Sequence, residues 1–200
     1  MRQIGLLGGS FDPIHNGHLR LASDVMGEFS LEEVWLVPAR LQPLKGGSVA
    51  PAEDRLVMCR LAAVEVPGLR VLEDEIRRDG PSYTVDTVRQ ILTSEPDIAI
   101  TFVAGTDALV NLPKWKEPAE LLRLTRVVAV ERGGVSWQEL QALLPNSLGM
   151  ELTLCQARAL PISSTDVRER IANGMPITDL VPAAVEHYIH ERALYRGDAR

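Results

Sequence analysis

Two histidines and a run of glycines near the amino terminus are the residues of this chain best suited to chemistry. The run is GGSFDPIHNGH, in which His15 and His18 lie three residues apart. A glycine turn between a strand and a helix lets backbone N–H groups approach an anion, and the helix start adds partial positive charge. Two side chains at this spacing can point to the same bound group. The segment therefore predicts a phosphate site in which glycines supply the geometry, imidazoles supply the charge, and no side chain is an obvious nucleophile.

A second polar segment, ISSTDVR, lies near the carboxyl end of the chain. Ser163 and Asp166 have the spacing of a capping box at the start of a helix. That structural role leaves Ser164, Thr165 and Arg168 unexplained. Amides and hydroxyls at a helix start, together with a planar guanidinium, suit the oxygens of a phosphate chain. We therefore expect this helix start to grip the same polyphosphate as the first motif.

The elements that must position these residues follow from the alternation of apolar runs with helical periodicity. The apolar runs are nearly continuous in Val, Ile and Leu, which is typical of parallel strands covered on both faces. Strands are predicted at residues 3–7, 33–37, 70–72, 98–104, 126–130 and 151–154, and helices between them at 51–64, 83–93 and 136–144. The pattern predicts an α/β fold, a doubly wound Rossmann-like parallel sheet with helices on both faces. We expect one domain over residues 1–200, with a C-terminal helical part at about 163–196.

The predicted topology brings three turns to one place. Ligands of such sheets bind beyond the carboxyl ends of the strands. The glycine turn after the first strand, the turn Gly105-Thr106-Asp107 after the fourth, and the segment 161–165 all emerge at that edge.

Composition restricts the partners and the compartment. The net charge of −6 and a pI near 5.3 disfavour binding to nucleic acid or to a membrane surface. Cys59 and Cys155 are far apart and outside any C-x-x-C, so neither a disulfide framework nor a zinc site is indicated. No signal peptide and no segment of transmembrane length is recognisable, which predicts a cytoplasmic protein.

The two motifs together resemble those of the nucleotidylyltransferase superfamily, G-x-F-D-P-x-H-x-G-H and I-S-S-T-x-x-R. Two further pieces, PSYT at 81–84 and LPKWK at 112–116, resemble the helix start and the Trp-bearing loop of its nicotinate-nucleotide adenylyltransferase family, as does GTDAL at 105–109. The resemblance extends from the first strand to Arg168. It implies transfer of the adenylyl group of ATP to nicotinate mononucleotide, giving deamido-NAD and pyrophosphate.

The resemblance also implies roles for single residues on the phosphate side. His15, His18 and Arg168 would be catalytic by neutralising charge on the reacting phosphates, because the attacking group is itself a phosphate oxygen. Mg²⁺ would be bound mainly through the ATP phosphates and water, with no set of protein ligands. The ATP-binding residues would be Gly8, Gly9, Ser10, Phe11, Gly17, Lys45, Gly105, Asp107, Ser163, Ser164 and Thr165.

The acceptor would bind at Thr84, Trp115 and Lys116. An indole face suits the cationic ring of a pyridinium nucleotide, and the amide and hydroxyl of Thr84 with the amide or ammonium of Lys116 could receive its carboxylate. One departure from the family is Gln42-Pro43-Leu44-Lys45 in place of Pro-Pro-His-Lys, where Leu44 removes an imidazole.

Several alternatives remain open from the sequence. One is an adenylyltransferase of the same fold with another phosphate acceptor, such as phosphopantetheine, and a second is a nucleotide-binding protein without catalysis. A dehydrogenase is disfavoured because the G-x-G-x-x-G fingerprint is not matched. The sequence leaves the oligomeric state open, with a homo-oligomer among the alternatives.

Overall fold

Within the described part of the chain, six strands form one sheet in the order β3-β2-β1-β4-β5-β6. The computed structural model describes residues 1–44, 47–144, 152–157 and 160–196. Every neighbouring pair of strands is parallel. The strands are β1 (Arg2–Gly9), β2 (Glu33–Pro38), β3 (Leu69–Val71), β4 (Ile98–Gly105), β5 (Arg126–Val130) and β6 (Leu152–Leu154). The predicted Rossmann-like α/β fold is confirmed.

The first strand runs further than its apolar residues indicated. It continues through Gly8 and Gly9, which pair with Val37 and Pro38 of β2. Strand β1 therefore reaches the carboxyl edge of the sheet with two residues, Gly8 and Gly9, that have no side chain.

Helices α1 to α9 connect and cover the strands. They are α1 (Asn16–Glu28), α2 (Ala52–Ala63), α3 (Asp74–Arg77), α4 (Thr84–Ser94), α5 (Thr106–Leu109), α6 (Pro118–Leu124), α7 (Trp137–Leu143), α8 (Ser164–Ala172) and α9 (Ala183–Glu191), with a 3-10 turn at Leu112–Lys114. The helices predicted at 51–64, 83–93 and 136–144 are confirmed as α2, α4 and α7. The short α3 and α5 escaped prediction because four residues are too few to show a helical period, and the seven-residue α6 was also not predicted.

Two apolar layers cover the two faces of the sheet, as strand alternation requires. Leu7 of β1 lies on one face, in a cluster to which α1, α2, α8 and α9 contribute buried side chains. Ile4 and Leu6 of the same strand lie on the other face, against residues of α4, α6 and α7. This packing fixes the ends of β1, β4 and β5, from which the site is built.

Both cysteines, Cys59 and Cys155, are free thiols and are buried. In the described ranges, none of the helices combines the length and the apolar character needed to cross a bilayer.

Candidate active site

The glycine turn (residues 8–13) delivers a stacked pair of imidazoles to the start of α1. His15 occupies the N-cap position of α1, and its backbone N–H donates to Nδ1 of His18 at 3.3 Å. The two rings stack with centroids 3.7 Å apart and planes 26° apart, and both side chains are buried. A Cβ at Gly17 would lie 3.0 Å from the His15 ring. Gly17 therefore makes room for His15, a different reason from the close approach to a nucleotide that the sequence suggested.

Burial disfavours the charged form of both imidazoles, whereas the sequence predicts that they supply charge. Burial, aided by the charge of Arg132, lowers the pKa of His15 to about 3. Burial, the neighbouring His15 ring and the charge of Arg132 together hold the pKa of His18 well below 6.5. Both ring nitrogens of His15 are buried without a partner in the described residues. Unpaired buried polar atoms of this kind are costly.

The second motif docks directly on the first. Ser164 Oγ donates to the carbonyl oxygen of Pro13 at 2.9 Å, and a guanidinium nitrogen of Arg168 donates to that of Asp12 at 2.7 Å. The predicted capping box between Ser163 and Asp166 is present. The structure thus brings the two ends of the sequence into contact at the carboxyl edge of the sheet.

A cleft of about 280 Å³ opens at this edge. Of the residues singled out from the sequence, the cleft is lined by Gly8, Gly9, Ser10, Phe11, His18, Thr84, Gly105, Asp107, Trp115, Lys116 and Ser164. His15 stacks on His18 without lining the cleft, and Arg168 contacts the glycine turn from outside the lining. Ser163 and Thr165, at the start of the same helix, are also outside the lining. Lys45 lies outside the described residues.

Two glycines hold space for Asp107 after β4. A Cβ at Gly105 would collide with Asp107 Oδ1, and a Cβ at Gly133, where φ is +67°, would lie 2.6 Å from Asp107 Cβ. Oδ1 also accepts the N–H of Ala108 at 3.0 Å. In the ranges that the structure describes, no three His, Cys, Asp or Glu side chains are grouped to hold a metal. A Mg²⁺ ion carried by a triphosphate fits this donor set, because Mg²⁺ keeps several waters and needs one or two carboxylates.

The residues expected to bind the acceptor also line the cleft, with one difference from the expectation. Trp115 is half-buried and packs edge-on against Phe102, with centroids 5.8 Å apart. Thr84 is the first residue of α4, where N–H groups have no partner within the helix. The ammonium of Lys116, however, is already paired with both oxygens of Asp86, at 2.8 and 2.9 Å. An acceptor carboxylate would have to compete with Asp86 for it.

Sequence reasoning missed three charged residues beside the cleft. Arg132 follows β5 by two residues and lines the cleft, where its charge acts on both histidines. The sequence feature that could have identified Arg132 is its position just beyond a predicted strand, at the edge of the sheet where ligands bind. Glu75 also lines the cleft, buried and hydrogen-bonded by Thr87 at 2.6 Å. Arg55 is 1% exposed, and no local pattern distinguishes it from a surface residue of α2.

Comparison with known proteins agrees with this geometry. The sequence model described as cytidylyltransferase-like matches residues 6–170. The chain is 44% identical to a protein of Roseiflexus sp. named probable nicotinate-nucleotide adenylyltransferase, over 96% of this chain and 98% of that one. A protein of the same name from Streptomyces coelicolor is 43% identical over 96% and 100%. The chain belongs to the nicotinate-nucleotide adenylyltransferase family, within the cytidylyltransferase-like proteins.

A solved structure shares the fold at much lower identity. The Plasmodium falciparum nicotinic acid mononucleotide adenylyltransferase complexed with NaAD superimposes with a TM-score of 0.77 at 20% identity, covering 98% of both chains. The fold is therefore shared although four residues in five differ.

Proposed function

We propose that this protein transfers the adenylyl group of ATP to nicotinate mononucleotide, giving deamido-NAD and pyrophosphate. One observation carries the proposal: a single cleft is lined both by the glycine turn with His18 and by Trp115 with Thr84. The first group suits a polyphosphate and the second suits a pyridinium ring. Membership of the family supplies the reaction class.

The reaction needs alignment and charge neutralisation from the protein rather than a nucleophile. An oxygen of the acceptor phosphate forms a bond to the α-phosphorus of ATP, and the bond from that phosphorus to the bridging oxygen of pyrophosphate breaks. Mg²⁺, when bound to the triphosphate, would neutralise part of the phosphate charge. Asp107 is the carboxylate of the cleft that would help to hold the ion.

We assign the α-phosphate contact to His18, whose ring lines the cleft. A neutral imidazole donates one N–H, and as negative charge develops on the phosphate oxygens the ring gains affinity for a second proton. His15, stacked behind it, supports that ring. Ser164, with the guanidinium of Arg168 behind it, serves the outer phosphates, and Arg132 is a further cation at the same end.

Three finer assignments are part of the proposal. ATP and nicotinate mononucleotide are the partners, Mg²⁺ enters with ATP, and the protein works in the cytoplasm, where ATP is supplied. The single-domain organisation and a homo-oligomeric state both stay predictions.

The deciding experiment measures pyrophosphate release from Mg-ATP with each of three acceptors: nicotinate mononucleotide, its amide, and phosphopantetheine. We expect the fastest release with nicotinate mononucleotide. Release only with phosphopantetheine would overturn the acceptor assignment, and ATP binding without release for any acceptor would show a nucleotide-binding protein without catalysis.

A further inference from the structure

The glycine turn is held from outside the cleft by a buried cluster that plays no part in the chemistry described above. Asp12 is 4% exposed, and its carboxylate accepts three hydrogen bonds. Two come from the N–H groups of Val49 and Ala50, at 2.7 and 3.0 Å. The third comes from the hydroxyl of Tyr195, at 2.8 Å. Tyr195, near the other end of the sequence, therefore supplies the third hydrogen bond to the Asp12 carboxylate in the glycine turn.

Arg55 holds the same region through main-chain carbonyl groups. One nitrogen of its guanidinium donates to Ser10 at 2.6 Å and to Ala39 at 2.7 Å. The others donate to Arg40 and Ala50, each at 3.3 Å. The planar fork of a guanidinium can serve several oxygens at fixed angles, which an ammonium cannot do. Arg55 thus joins the end of β1 to the segment that follows β2.

The bond to Ser10 fixes the direction of a backbone N–H. In a trans peptide the carbonyl oxygen and the next N–H point in opposite directions. Because the Ser10 carbonyl points to Arg55, the N–H of Phe11 points away from Arg55, and no acceptor in the described part of the chain takes it. Ser10 and Phe11 both line the cleft. An N–H held in this direction is suited to an anion in the cleft.

The conformation of Phe11 shows that the turn depends on its surroundings. Its φ is +47°, a region that costs a non-glycine residue energy and persists only where contacts enforce it. The ring is buried and packs edge-on against His18, with centroids 5.0 Å apart. The direction of the Phe11 N–H and the place of the His18 ring are therefore set together.

We propose that Tyr195 and Arg55 are positioning residues, which act through Asp12 and the Ser10 carbonyl to aim the glycine turn at the phosphates of ATP. The inference rests on the proposed adenylyl transfer. Burial and the Asp12 carboxylate both raise the pKa of Tyr195, so its hydroxyl remains a donor at all working pH values. Neither residue lines the cleft in the described chain, so neither contacts substrate.

The test compares two tyrosines that make the same kind of bond. Tyr188 donates to Asp54 at 2.7 Å, and in the described residues the Asp54 carboxylate has no hydrogen bond to the glycine turn. Tyr188→Phe is therefore the matched control for Tyr195→Phe. Each variant loses one hydrogen bond to a carboxylate. We expect kcat/KM for ATP to fall about tenfold in Tyr195→Phe and to change less than about twofold in Tyr188→Phe. KM for the acceptor should stay unchanged in both.

Two further measurements separate positioning from stability and from the proposed function. Arg55→Lys keeps the charge but loses the fork, and it should lower kcat/KM for ATP by at least as much as Tyr195→Phe. The Kd of an unreactive ATP analogue, measured beside Tm for every variant, needs no acceptor. It should rise in Tyr195→Phe and not in Tyr188→Phe.

Unchanged kcat/KM and analogue affinity in Tyr195→Phe would overturn the inference, even if its Tm falls as far as that of Tyr188→Phe. If Arg55→Lys does not fold, the two tyrosine variants decide alone. A wild-type protein that releases no pyrophosphate would instead refute the proposed function, and the analogue affinities would still test the positioning role.

Discussion

Acidification should destabilise the folded protein through His15, and the size of the effect follows from its burial. Its pKa is about 3 in the fold against an ordinary value of 6.5. The unfolded chain therefore binds the proton more readily than the folded protein. The contribution of neutral His15 to the free energy of unfolding is complete above about pH 6.5 and is lost as the pH falls towards 3. Lowering the pH from about 7.5 to about 5.0 should reduce the free energy of unfolding by about 2 kcal/mol. The reduction is about 1.4 kcal/mol for each pH unit below the unfolded-state pKa, and about 1.5 such units are crossed.

The assay is urea unfolding at both pH values for the wild type, His15→Gln and His187→Gln. The side chain of His187 is 82% exposed, which makes it the matched control. Comparing each variant with itself at two pH values cancels any constant cost of the substitution and leaves the titration. We expect the loss on acidification to be smaller by about 2 kcal/mol in His15→Gln alone. The same pH dependence in all three proteins would refute the reasoning from burial.

Three substitutions in the cleft test the remaining assignments. His18→Ala should lower kcat by about 100- to 1000-fold with little change in KM for ATP, because its donor acts on charge that develops in the transition state; an unchanged kcat in steady-state assays would exclude the role. Trp115→Ala should raise KM for nicotinate mononucleotide by about tenfold, and Trp115→Phe should restore most of the affinity. Arg132→Ala should raise KM for ATP, and the increase should shrink at high salt because an exposed charge is screened; a salt-independent change would count against it.

Much of the fold could be predicted from local patterns. Continuous Val and Ile runs specified the parallel strands, since both faces of such strands are covered, and the predicted strands agree with the structure to within one or two residues at most ends. The short α3 and α5 could not be predicted, because four residues hold no period and their conformation depends on the chain around them.

The candidate site divides in the same way. The glycine turn and the helix start at Ser163 carry their chemistry in adjacent residues, so their spacing was enough to find them. The ion pair of Lys116 with Asp86 joins residues 30 positions apart, and only packing brings them together. The protonation of His15 depends on burial, which the residue type does not reveal.

By itself the sequence determined which chemical groups are present and which of them share a turn, because neighbours along the chain cannot be far apart in space. The tertiary structure decided which distant groups are in contact and how far each is buried from solvent. Contact of Arg168 with Asp12, and of Tyr195 with the same residue, closes separations of 156 and 183 positions. Those contacts exist because the two apolar layers fix the strand ends, and the free energy of that packing is a property of the whole fold rather than of any segment.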